Sequence, residues 1–574
     1  MKYHKIIKNF LVSPAISAFF CGSLSFLAFS PFNCFIFFII ANSGFFFLLN
    51  HFKWQENLKI RQSDVNNSIK LNFLRKYFFN IHSKIGFSFG FGYFLLNLHW
   101  ICIALLIDIE SFIWLLPFAL LLIPAILAIY FAIISNIYSF LIFRISKYCN
   151  SQQILSLRIF VFAILWIFGE FLRSNYLLPF PWNLAGYSLL FSNNMIQTAS
   201  IFGIYGVSLI AVILSILPLI ITLPFLLKRI KYTNTAIYQI TSCEKRFLIA
   251  IFIGIFLMII FGYNHQKMPL ITDKNFKIRL VQANIKQENK WEDYKKINNI
   301  KKHIDLTKYP NNAKYKFSEL SLILWSETSI PFALNNNKEL VNFIADAIPN
   351  NAKLLSGAIR VNFSEESSNN YDNNKIRIWN SAFLINNDGS FASYDKRHLV
   401  PFGEYIPLTN FLPFIGKITN GAVDFSKGEG DVNLDYNNLV KLRPLICYEA
   451  IFNDVTNDEE RADLLINITN DSWFGNSIGP YQHLAMARVR AIENGTMMAR
   501  VANSGISAII DPFGNIKQKI DLNASGVIDD NLVIANFSTI YNQFGNYPLL
   551  LLILILFILS LRSLGRLMPF SLFN

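Results

Sequence analysis

Cysteine is scarce in this 574-residue chain: there are six, and beyond Cys243 only Cys447 remains. One thiol closes no intramolecular disulfide, so the long polar stretch around it is not a disulfide-framed module. That stretch also lacks a clustered Cys/His set with metal-ligand spacing, which removes the zinc-site reading. No internal repeat and no low-complexity linker breaks the chain, and the Ser/Asn-rich 364–374 segment reads as a surface loop. Charged residues make up only 15% of the chain and are nearly absent from its long apolar runs. Charged midplane residues and paired broken spans, the usual marks of a transporter core, are missing with them.

What is present is apolar bulk. The chain is 53% hydrophobic with 56 Phe, concentrated in the first 265 residues and the last 30. Runs near 10–30, 32–50, 85–107, 112–143, 157–173, 197–227, 247–263 and 547–566 are long enough to cross about 30 Å of hydrocarbon at about 1.5 Å per residue. About eight spans are therefore expected: seven in a membrane domain over 1–263, and a last one with its tail over 547–574. Residues 264–546 between them have the composition of a water-soluble domain. The N-terminus has the basic head and apolar middle of a signal peptide, but seven further runs favour an uncleaved anchor.

Lys and Arg set the orientation. The N-terminal tail carries three, the 51–84 connection seven, 144–158 three, 228–246 five and the C-terminal end two, whereas the opposite connections carry only Arg173. Both termini are thus expected in the cytoplasm, with 264–546 facing outward. The same asymmetry accounts for the net charge of +14, and no nucleic-acid-binding module accompanies it. In the outward connection 175–190, Trp182 and Tyr187 are suited to the membrane interface, and a re-entrant scaffold loop is an equal reading of the same stretch.

Within 264–546, β-like runs at 277–285, 320–327, 352–361, 379–386, 442–449, 462–469 and 504–511 alternate with turns. Helical patterns fit 337–347 and 481–494, where Arg488, Arg490 and Glu493 suggest a structural charge network. A layered α/β sandwich follows. Charged groups stand where three apolar strands end: Glu327 in LILWSETSIP, Lys396, His398 and Glu404 in YDKRHLVPFGEY, and Cys447 with Glu449 in ICYE. A carboxylate, an ammonium and a thiol suit acyl transfer. The thiol needs a base, a desolvated carboxylate can take its proton, and the ammonium can stabilise an oxyanion together with the N–H after the cysteine. His398 and His483 are the other ring bases within reach of this chemistry, each in a separate motif.

WSETSIP, YDKRHLVPFGEY and LICYEA resemble, in chain order, the Glu-Lys-Cys triad of the nitrilase superfamily. HLVPFGEY, NDSWFG, GPYQHLAMARVRAIE and RVANSGISAII are similar to the apolipoprotein N-acyltransferase family, and the resemblance covers essentially the whole chain. It implies a multi-pass α-helical membrane domain with an extracytoplasmic αββα sandwich in a bacterial inner membrane. It also implies catalytic roles for Glu327, Lys396 and Cys447, and support from Glu404, Tyr448, Glu449, Asn380, Trp291 and Trp473. The implied reaction is a ping-pong transfer of a fatty acyl chain from a membrane phospholipid, through a Cys447 thioester, to the amine of a diacylglyceryl-cysteine on an apolipoprotein. It needs no metal or other cofactor, and nothing demands a partner subunit, so a monomer is expected. The stretch 406–423 is apolar yet broken by Pro, Gly and Asn, which suggests a lid dipping Phe411, Leu412, Phe414 and Ile415 into the bilayer.

Overall fold

A computed structural model describes residues 13–52, 80–147, 155–176, 179–229, 242–363, 376–407, 423–430, 432–453 and 460–562. The suggested lid residues Phe411, Leu412, Phe414 and Ile415 lie outside these. Two compact units are present. One comprises Met1–His99, Pro117–Asn264 and Asn546–Asn574; the other comprises Trp100–Leu116 and His265–Gly545.

Every secondary-structure element described in the first unit is a helix, with turns between them. Among the described residues five helices are long and apolar enough to cross a membrane: Ile81–Leu105, Ile109–Ser146, Leu155–Asn175, Ala199–Thr222 and Glu244–His265. Pro14–Ala28, Phe35–His51 and Tyr547–Arg562 are apolar but shorter. In hydrocarbon a helix satisfies its own backbone, so small residues that permit close approach, together with hydrogen bonds such as that from Asn42 to Ser215, bring helices together. A Cβ on Gly22 would stand 1.9 Å from the carbonyl oxygen of Phe89, and one on Gly92 would stand 2.2 Å from that of Phe19. Those glycines therefore let Pro14–Leu24 lie directly on Ile81–Leu98. Trp182 and Tyr187 are buried inside the protein, as a scaffold loop would have them. The connection folds back into its own unit, where the Tyr93 hydroxyl donates to the Asn183 carbonyl at 2.7 Å and Ala185 N–H donates to Glu170 at 2.7 Å.

The second unit is built on two sheets. In chain order the strands are β1 (Leu270–Gln282), β2 (Leu322–Trp325), β3 (Ile330–Ala333), β4 (Lys353–Phe363), β5 (Ile376–Asn386) and β6 (Phe391–Asp395). They continue with β7 (Leu434–Tyr436), β8 (Val440–Ile446), β9 (Leu464–Thr469), β10 (Met498–Ala502), β11 (Ser507–Ile510), β12 (Ile516–Ile520) and β13 (Gly526–Ala535). The first sheet runs β13-β1-β2-β4-β5-β6 with β3 on β4, and the second runs β12-β11-β10-β9-β8-β7. One apolar core draws from both, from Ile278, Leu324 and Leu384 of the first sheet to Leu442, Ile466 and Val501 of the second. Alternation explains the sharing, because successive side chains of a strand face opposite sides. Thus Leu322 and Leu324 enter this core, while Ile323 and Trp325 join a second one under the helix Lys338–Ala345.

Buried charges pin the elements to one another. Arg279 on β1 meets Asp529 on β13 through two bonds of 2.7 Å each, and a bidentate pair of this kind tolerates burial because both partners remain hydrogen-bonded. In the helix Gly479–Asn494, Arg490 pairs with Glu493 at 2.9 Å, as expected of a structural network. Arg488 instead donates to the carbonyl of Gly514 at 2.8 Å.

Residues 100–116 depart from the sequence division, which placed them in the membrane region. They pack in the second unit because Trp100 is an apolar anchor there: it is buried and set edge-on to Phe474, with ring centres 4.6 Å apart. Gly475, at a φ of +55°, leaves room for Ile103, whose Cγ2 would lie 2.7 Å from a Cβ at that position.

Candidate active site

Three strands of the second unit end in chemistry. β2 stops at Trp325, and Glu327 follows in a turn whose next residue, Thr328, has a φ of 45°. β6 stops at Asp395, which is held by Arg360 at 2.9 Å and by the hydroxyl of Ser381 at 2.6 Å. Lys396 follows, its N–H bonded to the carbonyl of Asn380 at 2.9 Å. β8 stops at Ile446, and Cys447 opens a short 3-10 turn with a φ of 52°.

These ends converge. Lys396 Nζ lies 3.0 Å from Glu404 Oε1 and 3.6 Å from Glu327 Oε1. Asn380 Nδ2 donates to both carboxylates, at 2.8 Å each, and so keeps two like charges on one ammonium. Glu404 also accepts the N–H of Val400 at 2.8 Å. All four side chains are buried. Burial opposes the charge of Lys396, but Glu404, Glu327 and the nearby sulfur outweigh it and raise its pKa above the ordinary lysine value. The charged form of Lys396 is therefore favoured.

Cys447 is buried, and its thiol is pushed up to about 12 by burial and by Glu327, against the pull of Lys396. A resting thiol in this setting is protonated. Nucleophilic attack then needs a base at the moment of reaction, not a standing thiolate.

Glu449 ties the thiol segment to the ammonium segment. One oxygen accepts the N–H of Ile446 at 2.7 Å; the other accepts those of Arg397 at 2.6 Å and His398 at 3.2 Å, and the Tyr394 hydroxyl at 2.9 Å. Its pKa is nonetheless raised, because burial outweighs these donors. Tyr448 is buried with its ring edge-on to Phe452 at 5.1 Å, and His398 stacks on the same ring at 4.3 Å. Trp291 and Trp473 are half-buried, and among the described residues neither hydrogen-bonds to Glu327, Lys396 or Cys447.

Sequence reasoning missed Lys290. It closes the short helix Gln287–Lys290 and is buried, with Nζ donating to the carbonyl of Glu327 at 2.9 Å. Burial lowers its pKa to about 8 against the attraction of Glu327 and Cys447. Its neighbours Lys286 and Glu288 are exposed, so nothing in the run KQENKW distinguishes the one lysine that turns inward. Asp471, Arg500 and Asn467 were missed too, although NDSWFG and RVANSG drew attention as motifs. They form a buried group with His483 beneath Cys447.

Comparison with known proteins places this arrangement. Residues 277–538 match the carbon-nitrogen hydrolase family, and residues 78–217 match the apolipoprotein N-acyltransferase N-terminal domain. The apolipoprotein N-acyltransferase of Rickettsia typhi is 36% identical over 496 residues, which is 83% of this chain and 90% of that protein. That of Rickettsia bellii is 37% identical over 83% of this chain and 88% of its own length. That of Rhodopseudomonas palustris is 35% identical over 83% and 85% respectively. With identity of this order running through both the helical region and the hydrolase-like region, the chain belongs to the apolipoprotein N-acyltransferase family, as an acyltransferase with a carbon-nitrogen hydrolase domain.

Proposed function

We propose that the protein moves a fatty acyl chain, the sn-1 chain of a membrane phospholipid, to the N-terminal amine of diacylglyceryl-cysteine on an apolipoprotein. The transfer is ping-pong through a thioester on Cys447. The observation that carries this reading is the convergence of Glu327 and Glu404 on Lys396 through Asn380, with the charges of Glu327 and Lys396 acting on the buried thiol.

The chemistry follows from the geometry. Cys447 attacks the ester carbonyl as its proton passes to Glu327. The oxyanion that forms is met by Lys396 and by the N–H of Tyr448. Collapse expels the glycerol oxygen, which takes the proton from Glu327 and leaves as lysophospholipid. The acceptor amine then attacks the thioester and gives its proton to Glu327, and the thiolate leaves and is reprotonated. Thiolate is a good leaving group toward an amine, which suits the intermediate to its task. Glu404 holds Lys396, Asn380 holds both carboxylates and Glu449 keeps the two segments in register. Burial of the sulfur supports the exclusion of water that would otherwise hydrolyse the thioester. Trp291 and Trp473 are assigned supporting roles in binding substrate.

In this reading the eight apolar helices all span a bacterial inner membrane. Residues 264–546 form an αββα sandwich in the periplasm between a membrane domain over 1–263 and a last span over 547–574. Both termini are cytoplasmic, as the placement of Lys and Arg favours. The protein works as a monomer in the bilayer, without nucleic acid or cofactor.

The direct test is intact-mass analysis of purified protein mixed with phospholipid alone. An acyl adduct on Cys447 that disappears when a diacylglyceryl-cysteine peptide is added is the expected result. Cys447→Ala and Cys447→Ser should abolish both adduct and product. Free fatty acid with no acylated peptide would instead make the protein a hydrolase.

A further inference from the structure

The reaction just described makes no use of the buried polar group beneath Cys447. A φ of 52° puts Cys447 in the left-handed region, which costs a non-glycine residue about 1 kcal/mol or more. Something must hold it there. His483 Nε2 lies 3.0 Å from the carbonyl oxygen of Cys447, with Asn467 Nδ2 at 3.5 Å from the same atom. A carbonyl oxygen only accepts, so Nε2 carries the hydrogen.

The ring is itself held firmly. His483 Nδ1 lies 3.0 Å from Asp471 Oδ1 and 3.2 Å from Arg500 Nη2. Asp471 accepts from Arg500 at 2.6 Å and from the hydroxyl of Thr469 at 2.9 Å. Arg500 also reaches Asn467 and the carbonyl of Ile506. His483, Asp471, Arg500 and Asn467 are all buried, and Phe474 lies edge-on to the imidazole with ring centres 5.8 Å apart. Apolar side chains would fill such a helix–sheet contact at a lower desolvation cost, so the polar set calls for a role beyond packing.

A peptide unit is planar and trans, and its C=O and N–H therefore point in opposite directions. Holding the carbonyl oxygen of Cys447 fixes the direction of the Tyr448 N–H. We propose that His483 is a positioning residue for the oxyanion: by gripping the Cys447 carbonyl it aims the Tyr448 N–H at the oxygen that becomes charged. The inference rests on Cys447 being the nucleophile. It involves no proton transfer, because the bond forms whether the ring is neutral or charged. Burial, then Arg500, holds the imidazole below its ordinary pKa. Acylation and aminolysis both pass through a tetrahedral oxyanion, so both depend on the same aim.

The test compares full-length wild type with His483→Ala, His483→Gln and His483→Asn, measuring thioester formation from phospholipid and its aminolysis by a diacylglyceryl-cysteine peptide separately. Alanine should slow both half-reactions by a similar factor, about tenfold to a hundredfold, less than outright loss of an oxyanion donor. KM for both substrates and the shape of the pH profile should stay unchanged. Glutamine, whose Nε2 has nearly the reach of the imidazole Nε2, should recover most of the rate; asparagine, one carbon shorter, should not. Should the alanine variant fail to fold, the Gln/Asn pair decides the matter, since both keep an amide in the cavity. Equal rates for Gln and Asn, slowing of one half-reaction alone, or loss of a pH limb would overturn the proposal. Wild type that never carries an acyl group on Cys447 would overturn the nucleophile reading, and this inference with it. An acylated wild type with an unimpaired alanine variant would overturn this inference alone.

Discussion

At the scale of single residues, Glu327 and Cys447 stand out in the sequence because each follows an apolar run, where a charged or reactive side chain breaks a pattern that packing would otherwise continue. Lys396 instead follows the mostly exposed strand FASYD and stands out only within its motif. Lys290 was not legible, since a lysine among charged neighbours carries no mark of burial. Its setting has a consequence for stability. The folded chain releases its proton near pH 8, whereas an unperturbed lysine holds on to about 10.5. Between those values the unfolded state binds more protons, so stability attributable to this site rises with pH across that window; below pH 8 the folded state bears the full cost of a buried cation. Lys290→Met should therefore flatten the pH dependence of unfolding between pH 8 and 10.5, measured by denaturation in detergent. An unchanged slope would mean that the ammonium is better solvated than its burial implies.

At the scale of elements, the expected strands at 277–285, 352–361, 379–386, 442–449 and 462–469 have counterparts in β1, β4, β5, β8 and β9, because each is a clear apolar run. β12, with the sequence IKQKI, and the three-residue β7 carry too little apolar signal to read, and pairing with a neighbour makes them strands. The match at β4 has a mechanical side. Gly357 leaves no space for a side chain, because a Cβ there would lie 2.3 Å from Thr328 N and 2.7 Å from Glu327 Cα. The turn bearing Glu327 rests directly on the backbone of β4. Gly357→Ala should displace that turn, costing about 1–3 kcal/mol of stability as an overpacked site does and lowering turnover at least tenfold. Thermal melting with a parallel activity assay checks both, and wild-type turnover would show that the turn yields without moving the carboxylate.

At the scale of the whole molecule, composition announced a membrane protein with a large polar insertion, and periodicity located the apolar helices. It did not reveal that 100–116 pack with the hydrolase-like unit, because a Trp that docks on a protein surface and one that sits in lipid have the same hydropathy. The suggested lid belongs to this scale, since its substrate is a bilayer. Replacing Phe411, Leu412, Phe414 and Ile415 together with Ser should lower turnover on vesicle phospholipid at least tenfold while sparing a soluble short-chain ester; equal loss on both would sink the idea. One last feature bears on how such a chain can be assembled. β1 and β13, the first and last strands of this unit, lie side by side with Leu270 opposite Ala535. The first and last strands are thus held about 5 Å apart, one interstrand spacing, although more than 250 residues of sequence separate Leu270 from Ala535. The first sheet therefore cannot be completed until the chain has been made as far as Ala535, so one of its strands, β1, waits for its partner β13 through the synthesis of nearly the whole unit.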